Sequence, residues 1–268
     1  MPTRKSTTVK SPAKPRASKA PPPRMTLADA MGALEKAGSA QTRKTYERHG
    51  GQGPMFGVSF ATLKEMKKRI GVDHELAEAL WATGNLDARN LAVKIVDPSR
   101  LSPADLDRWA NDGCGARFCG GYGAMLPVEG SHGPAKVKQW LAAGDENLRC
   151  AGWTLLGQLA MRDDTLTDDW YVGRLKDIER TIHTAPNSER GVMNMAVVMI
   201  GCRNAALLKA VLAAAKRIGQ VVVDHGETSC KTPDAAETIE KTWAYAKAKG
   251  AESPAAQERD RAVPRLRC

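Results

Sequence analysis

The sequence is poor in aromatic side chains: Phe, Trp and Tyr make up 5% of its 268 residues. Packing must therefore rest mostly on Ala, Leu, Val and Met. Strict alternation of apolar and polar residues is almost missing. Val221–Val223 is the only β-looking piece, and it is too short to found a sheet. Long apolar runs are missing too. Stretches such as MAVVMIG at 195–201 fall far short of the ~20 residues that cross a bilayer. The basic N-terminus has no apolar core of a secretory signal, and its prolines exclude the amphipathic helix of a transit peptide. No CxxC pair occurs. The six cysteines (Cys114, Cys119, Cys150, Cys202, Cys230 and Cys268) are scattered, which fits reduced thiols in a cytosolic protein. Finally, residues 1–24 contain no acid.

That last absence unbalances the charge. The chain carries +10 in all, and the first 24 residues supply +7 of it. The other 244 residues hold 33 bases and 30 acids, or +3. A basic excess points to a polyanionic partner, although most of it sits in the arm. With 42% hydrophobic and 26% charged residues, usage is that of an ordinary globular protein, so wholesale disorder is excluded. The length suits one large domain or two small ones.

Residues 1–24, rich in Pro, Ser, Lys and Arg, read as a disordered basic arm. Residues 25–250 read as the folded domain, and 251–268, polar and broken by prolines, as an extended tail. Within the domain nearly everything is helical. Phe60, Leu63, Met66 and Ile70 recur at helical spacing and leave Lys64, Lys67 and Lys68 on other faces. Ser102-Pro103-Ala104-Asp105 gives a cap, a proline at the first helical position and an acid in the first turn. The stripe from Leu207 to Ile218 stops at Gly219. DARNLAVKIV (87–96), NLRCAGWTLL (147–156) and SERGVMNMAV (188–197) each begin a helix with one arginine and then turn apolar. Arg89, Arg149 and Arg190 stand 60 and 41 residues apart, and the second interval is that of a HEAT-type unit. The expectation is an all-α fold: an α-α superhelix, a HEAT-like or armadillo-type solenoid.

Several stretches together resemble the AlkD-like DNA alkylation repair proteins, the HEAT-like alkylpurine DNA glycosylases. They are FGVSFATLKEMKKRIG (56–71), HELAEALWATGNLDARNLAVKIVDPSRLS (74–102), DRWANDGC (107–114), ENLRCAGWTLLGQLA (146–160) and IGCRN (200–204). The segment 218–241 is similar to one carried by an uncharacterised branch of that family. The resemblance implies a solenoid that receives duplex DNA, alkylated or not, on a basic concave face. It implies N-glycosylase chemistry on N3- or N7-alkylated purines, in which a carboxylate stabilises positive charge on the sugar while tryptophans pack around it. Beside the resemblance, the expectation is a cytoplasmic, nucleoid-associated monomer with no cofactor, and no ligand spacing matches a metal template. Residue by residue, Arg149 matches the family's phosphate-binding arginine. The first catalytic Trp and the Asp four residues on should fall in NDGCGARFCGGY, where Cys114 and Phe118 stand; Asp112 is the only nearby acid and so the candidate catalytic carboxylate. The second Trp should fall where Met195 stands.

Other residues carry chemistry of their own. Lys64, Lys67 and Lys68, with Arg69, could grip phosphates, or form a solvated face balanced by Glu65. Arg89 and Arg190 are repeat equivalents of Arg149 and share its candidacy for nucleic-acid contact, yet helix-start arginines often pair with acids of the next repeat. The six tryptophans read as inter-helix packing. HGGQGPMFG (49–57) lacks the GK[ST] of a Walker motif, so its glycines read as shaping the approach to a helix. Asp224, His225, Glu227, Cys230 and Lys231 form the densest cluster: a Cys/His nucleophilic pair, a metal site whose spacing matches no familiar template, or a turn in which His225 and Cys230 satisfy backbone groups. An alternative of a different class is a non-catalytic protein–protein interaction scaffold, for which a folded part of +3 is unremarkable.

Overall fold

The computed structural model describes residues 24–111 and 119–267. The arm therefore lies outside the described residues apart from Arg24, as do Asp112, Cys114 and Phe118. The described residues are helical with no strand. In chain order the helices are α1 Leu27–Ala37, α2 Ala40–Arg48, α3 Phe60–Ile70, α4 His74–Ala82, α5 Leu86–Ile95, α6 Pro103–Asn111, α7 Cys119–Gly123 and α8 Gly133–Leu141. They continue with α9 Glu146–Arg162, α10 Asp168–Thr181, α11 Asn187–Gly201, α12 Ala205–Ile218, α13 Ala235–Ala248, α14 Pro254–Arg259 and α15 Pro264–Arg267. Val221–Val223 is irregular, with Val221 buried and Val222 open to solvent.

Local chemistry sets most boundaries. Ser59, Asn85, Asp145 and Asn204 each accept a bond from a backbone N–H in the first turn of the following helix, satisfying a donor that has no partner within the helix. Ser102 and Asp105 cap each other's backbone reciprocally, at 3.1 and 3.2 Å. Gly219 ends α12 with φ +66°, a conformation that glycine adopts without Cβ strain.

Packing follows the repeats. α4 lies on α5, α8 on α9 and α10 on α11, while α9 packs along α11 to join neighbouring repeats. Close approach needs missing side chains. A Cβ on Gly152 would come within 2.9 Å of Leu141 N, and one on Gly157 within 2.5 Å of Met199 Sδ. The tryptophans pack as expected: Trp81, Trp109, Trp140 and Trp153 are buried. Trp81 stacks on Trp109 at 4.3 Å with 3° between ring planes.

A shared device ties each pair. Arg89, Arg149 and Arg190 all occupy the fourth position of their helix. Each reaches back to carbonyls at the end of the preceding helix or just beyond it: Arg89 Nε to Trp81 O (3.3 Å), Arg149 Nη1 to Ala143 O (3.1 Å) and Gly144 O (2.7 Å), and Arg190 Nε to Ala185 O (2.8 Å). Trp81 O lies in the last turn of α4 and carries the negative end of its dipole, whereas the other carbonyls belong to the turns after α8 and α10; each gains a hydrogen bond from a guanidinium. Arg203 of the IGCRN stretch does the same after α9. It donates to Ala160 O (3.1 Å) and Asp163 O (2.6 Å) and lies over the Tyr171 ring.

The glycine-rich loop is organised from below. Asp87, fully buried, accepts bonds from the backbone N–H groups of Phe56 (2.6 Å), Gly57 (2.9 Å) and Val58 (2.8 Å). Gly57 has φ +82° and lies against the Ser39 carbonyl and the Arg43 backbone, leaving no room for a side chain. These glycines shape the entry to α3.

Residues 251–267 correct the expectation of an extended tail. Pro254 sits in the first turn behind the cap Ser253, and Pro264 opens α15. At such positions the missing N–H costs nothing, so these prolines start helices rather than break them. The segment is also clasped. Arg265 is buried, pairs with Glu129 through two bonds of 2.5 and 2.8 Å, and donates to Val93 O. Buried Lys94 donates to Arg265 O at 3.0 Å and lies against the Phe60 and Tyr122 rings. Among the described residues no helix is long and apolar enough to cross a membrane.

Two outcomes are expected of this clasp. Arg265→Met leaves Glu129 without its partner in a mostly buried site and should cost about 3 kcal/mol, read by denaturant unfolding; a change below about 1 kcal/mol would show the clasp to be incidental. Glu258 is pushed up by burial, but hydrogen bonds from Arg267 and Arg162 outweigh this and hold it below the usual carboxylate range. Its contribution is therefore complete above the ordinary glutamate value and lost as pH falls through the lowered one. Hydrogen-exchange protection across 254–267, taken relative to the intrinsic rate at each pH, should fall on such acidification and stay constant above it.

Candidate nucleic-acid interface

The N-terminal ends of α9 and α11 lie side by side. Between them, the end of α2, α7 and residues 223–233 is a cleft of 730 Å³. Its apolar surface includes Ala151, Val192 and Met195; Asn147, Thr154 and Ser188 supply polar groups. Arg48 and His49 stand on the α2 side and Lys231 on the 223–233 side.

The 223–233 wall is fastened to α11 rather than loosely laid on it. Asn187 Nδ2 donates to Asp224 O (2.9 Å) while Asp224 N donates to Asn187 Oδ1 (2.7 Å). Asn194 Nδ2 donates to Pro233 O (2.9 Å), and Arg190 Nη1 reaches Val222 O (3.3 Å). Within the segment, His225 Nε2 bonds Thr232 Oγ1 at 3.0 Å, Thr228 Oγ1 donates to His225 O, and Cys230 N donates to Thr228 Oγ1. The His225 ring is thus held by a neighbouring hydroxyl, Thr228 serves two backbone groups of the turn, and Cys230 is exposed. Among the described residues no three metal-binding side chains converge.

Three carboxylates lie in or behind the cleft walls, in different states. Glu189 is buried and held by Arg149 (2.8–2.9 Å) and by Trp153 Nε1 (3.2 Å). This is the pairing with an acid of the next repeat, and it raises the Arg149 pKa further. Glu189 does not line the cleft; Glu146 and Asp224 do, and both are exposed. Glu146 Oε1 accepts from Ser188 Oγ. Cys150, also on the cleft, has its thiol pushed up to about 11 by burial in spite of a bond with Ser188, so it stays protonated and unreactive at neutral pH.

The cations singled out from the sequence are distributed differently from the cleft. Lys64 and Lys68 are exposed and Lys67 half-buried on α3, with Lys68 paired to Glu65 at 2.6 Å. None of Lys64, Lys67, Lys68, Arg89, Arg149 and Arg190 lines the cleft. Arg149 and Arg190 come nearest in sequence, each followed by a lining residue, Cys150 and Gly191. Met195 lies open in the cleft, 38% exposed, in the place where the resemblance puts a tryptophan. Sequence reasoning passes over Arg48, His49, Glu146 and Ser188. The signal is available in the repeat phase: Glu146 and Ser188 precede the repeat arginines by three and two residues. Lys44 and Arg48 fall one turn apart on a basic helix.

One wall residue is a helix-interior glycine with open space beside it, as are Gly32 and Gly173 away from the cleft. Gly191 lies inside α11, yet a Cβ there would meet nothing within 4 Å. A helix-interior glycine costs roughly 0.5–1 kcal/mol relative to alanine, and close packing does not account for this one.

A row of helix pairs with a walled cleft at the N-termini of their second helices is a HEAT-like α-solenoid. The family model for DNA alkylation repair enzymes matches residues 30–197, and the chain belongs to that family. It is similar to a solved structure described as "a new family of proteins related to the HEAT-like repeat DNA glycosylases with affinity for branched DNA structures". That likeness has 30% identity and a TM-score of 0.73, and covers 85% of this chain and 96% of the other. It is also 23% identical to the uncharacterized proteins Lin0241 of Listeria innocua and Lmo0209 of Listeria monocytogenes, each over 78% of this chain and 93% of theirs.

Thiol chemistry tests the cleft's electrostatics. Alkylation at neutral pH, followed by peptide mapping, should modify Cys230 well before Cys150 and Cys202, whose thiols burial pushes up to about 11 and 12. Early labelling of Cys150 would contradict the burial on which this reading rests.

Proposed function

We propose that this protein binds DNA through its sugar–phosphate backbone and prefers branched over continuous duplex. The observation that carries the reading is the likeness, at 30% identity over 85% of the chain, to a structure whose description names affinity for branched DNA. The cations support it: Lys64, Lys67 and Lys68 project from one helix, and each phosphate they neutralise would release condensed counterions. Arg89, Arg149 and Arg190 contribute differently. Their half-buried guanidinium groups close helix ends and the turns after them, and those of Arg149 and Arg190 belong to the two helices whose first turns line the cleft. Nucleoid DNA is the natural partner of such a protein.

Excision of N3- or N7-alkylated purines does not follow from this site. With Met195 in the second tryptophan's place, the described part of the cleft lacks the ring that would pack against a cationic base. Glu146 and Asp224 are exposed to water, where a carboxylate stabilises a developing sugar cation less than in a dry site. The protein is therefore read as one that recognises DNA structure, related to glycosylases by descent and fold.

Affinities for a four-way junction and a matched linear duplex, each measured at low and raised salt, test this. Tighter junction binding that weakens steeply with salt is expected. Lys64→Ala combined with Lys67→Ala should lower the salt slope by about 2, one for each phosphate left without its lysine. Absence of binding at low salt would overturn the reading in favour of a protein-interaction scaffold. Incubation with 7-methylguanine DNA should release no base above the spontaneous rate. Robust release would restore the enzyme reading, with Asp112→Asn the first variant to make.

A further inference from the structure

We propose that the cleft between α9 and α11 holds one unpaired nucleotide of a branched or bulged DNA strand, with its base inside and its phosphate at the rim. This rests on the DNA-binding reading and adds the unit that is recognised.

Size comes first. At 730 Å³ the cleft lies in the range of small-ligand pockets, roughly 300–1,000 Å³. It can take a nucleoside with its phosphate, but not the width of a duplex. Its chemistry is divided as a nucleotide's is. Val192, Met195 and Ala151 offer an apolar surface for the face of a base. Asn147 and Glu146 stand at a polar edge, where the Glu146 carboxylate can accept from an exocyclic amine. Exposed Arg48 and Lys231 stand on different walls, so a phosphate at the rim would meet a cation from either side. Lys44, one turn before Arg48 and also exposed, extends the positive charge along α2 for the adjoining backbone.

Gly191 is the second, independent observation. Its missing side chain relieves no clash; a Cβ would project into open space on the cleft wall. The chain bears the helix-weakening effect of glycine at a point where any larger residue would reduce the room for a ligand. Gly121, on the α7 wall, is likewise open. The preference for branched DNA then acquires a cause. Extruding a paired base costs unstacking and unpairing energy, whereas a base at a junction or bulge is already close to free.

The test uses duplexes carrying 2-aminopurine either at a single-nucleotide bulge or within a paired stretch. This base is bright when unstacked and is quenched by stacking on its neighbours. No Phe, Tyr or Trp lines the cleft among the described residues, so a base held there stays unquenched. Binding, followed separately by anisotropy, should raise the emission of the bulged probe severalfold and leave the paired probe unchanged. Gly191→Leu places a side chain in the cleft without a backbone clash and should melt no lower than the wild type. It should abolish the emission gain and reduce the affinity ratio of bulged over paired DNA by about tenfold. Arg48→Ala and Lys231→Ala should each lower that ratio. Binding without an emission change in the wild type, or a gain that survives in Gly191→Leu, would overturn the pocket and leave DNA binding standing. No binding of either probe at low salt would overturn both.

Discussion

Every α-helix ends in carbonyl groups without intrahelical partners, and a solenoid built from short helix pairs multiplies such ends. In this protein an arginine at the fourth position of the following helix reaches back to the helix end or to the turn just after it, and it does so in three repeats: Arg89, Arg149 and Arg190. Arg149 adds the link to the next repeat through buried Glu189, which also receives the Trp153 indole. The register of α9 against α11 depends on this knot. The cleft lies against the same knot, lined by Glu146, Asn147 and Cys150 beside Arg149 and by Asn187, Ser188 and Gly191 beside Arg190. Breaking the knot would leave Glu189 as an unpaired buried charge, the costlier half of any ion pair to strand.

The cleft is closed by a segment with no regular structure. Residues 219–234 hold their place through backbone atoms bonded by Asn187, Asn194 and Arg190 and through a buried Val221. This fastening answers two demands. An irregular chain must satisfy its peptide groups without a helix or sheet, and a binding wall must be placed on a rigid support. His225 and Cys230, which look the most reactive residues in the sequence, bond within the segment, to Thr232 and Thr228. His225 lines the cleft, as do Glu146, Ser188, Arg48 and Lys231. At the far end of the same helices the C-terminal segment clasps α5 and α9 through Arg265 and Glu258, so the chain's last turns brace the row that carries the cleft.

Much of the fold is legible residue by residue. The stripes of α3 and α12, the cap at Ser102, the stop at Gly219 and the phase of the three arginines all express local periodicity, which is written in the order of the residues. The C-terminal helices are not legible in this way, because Pro254 and Pro264 read as breakers. Whether a proline breaks or begins a helix depends on whether the residue before it caps, and for Arg265 on a carboxylate 136 residues away. The cleft is only half legible. Its helices follow from the sequence, but Arg48 comes from a helix about a hundred residues before α9.

The sequence by itself determined the fold class, the repeat and the family, because helical period and the position of capping residues are local properties. It also determined that the tryptophan expected at Met195 is absent. The tertiary structure decided what the charges do. The guanidinium groups that looked like free hands for phosphate are mostly committed to helix ends and to Glu189, since a buried carbonyl or carboxylate claims the nearest cation before solvent or a ligand can. It decided as well that an unremarkable glycine, Gly191, faces a cavity. A missing side chain has no meaning until the surface opposite it is known.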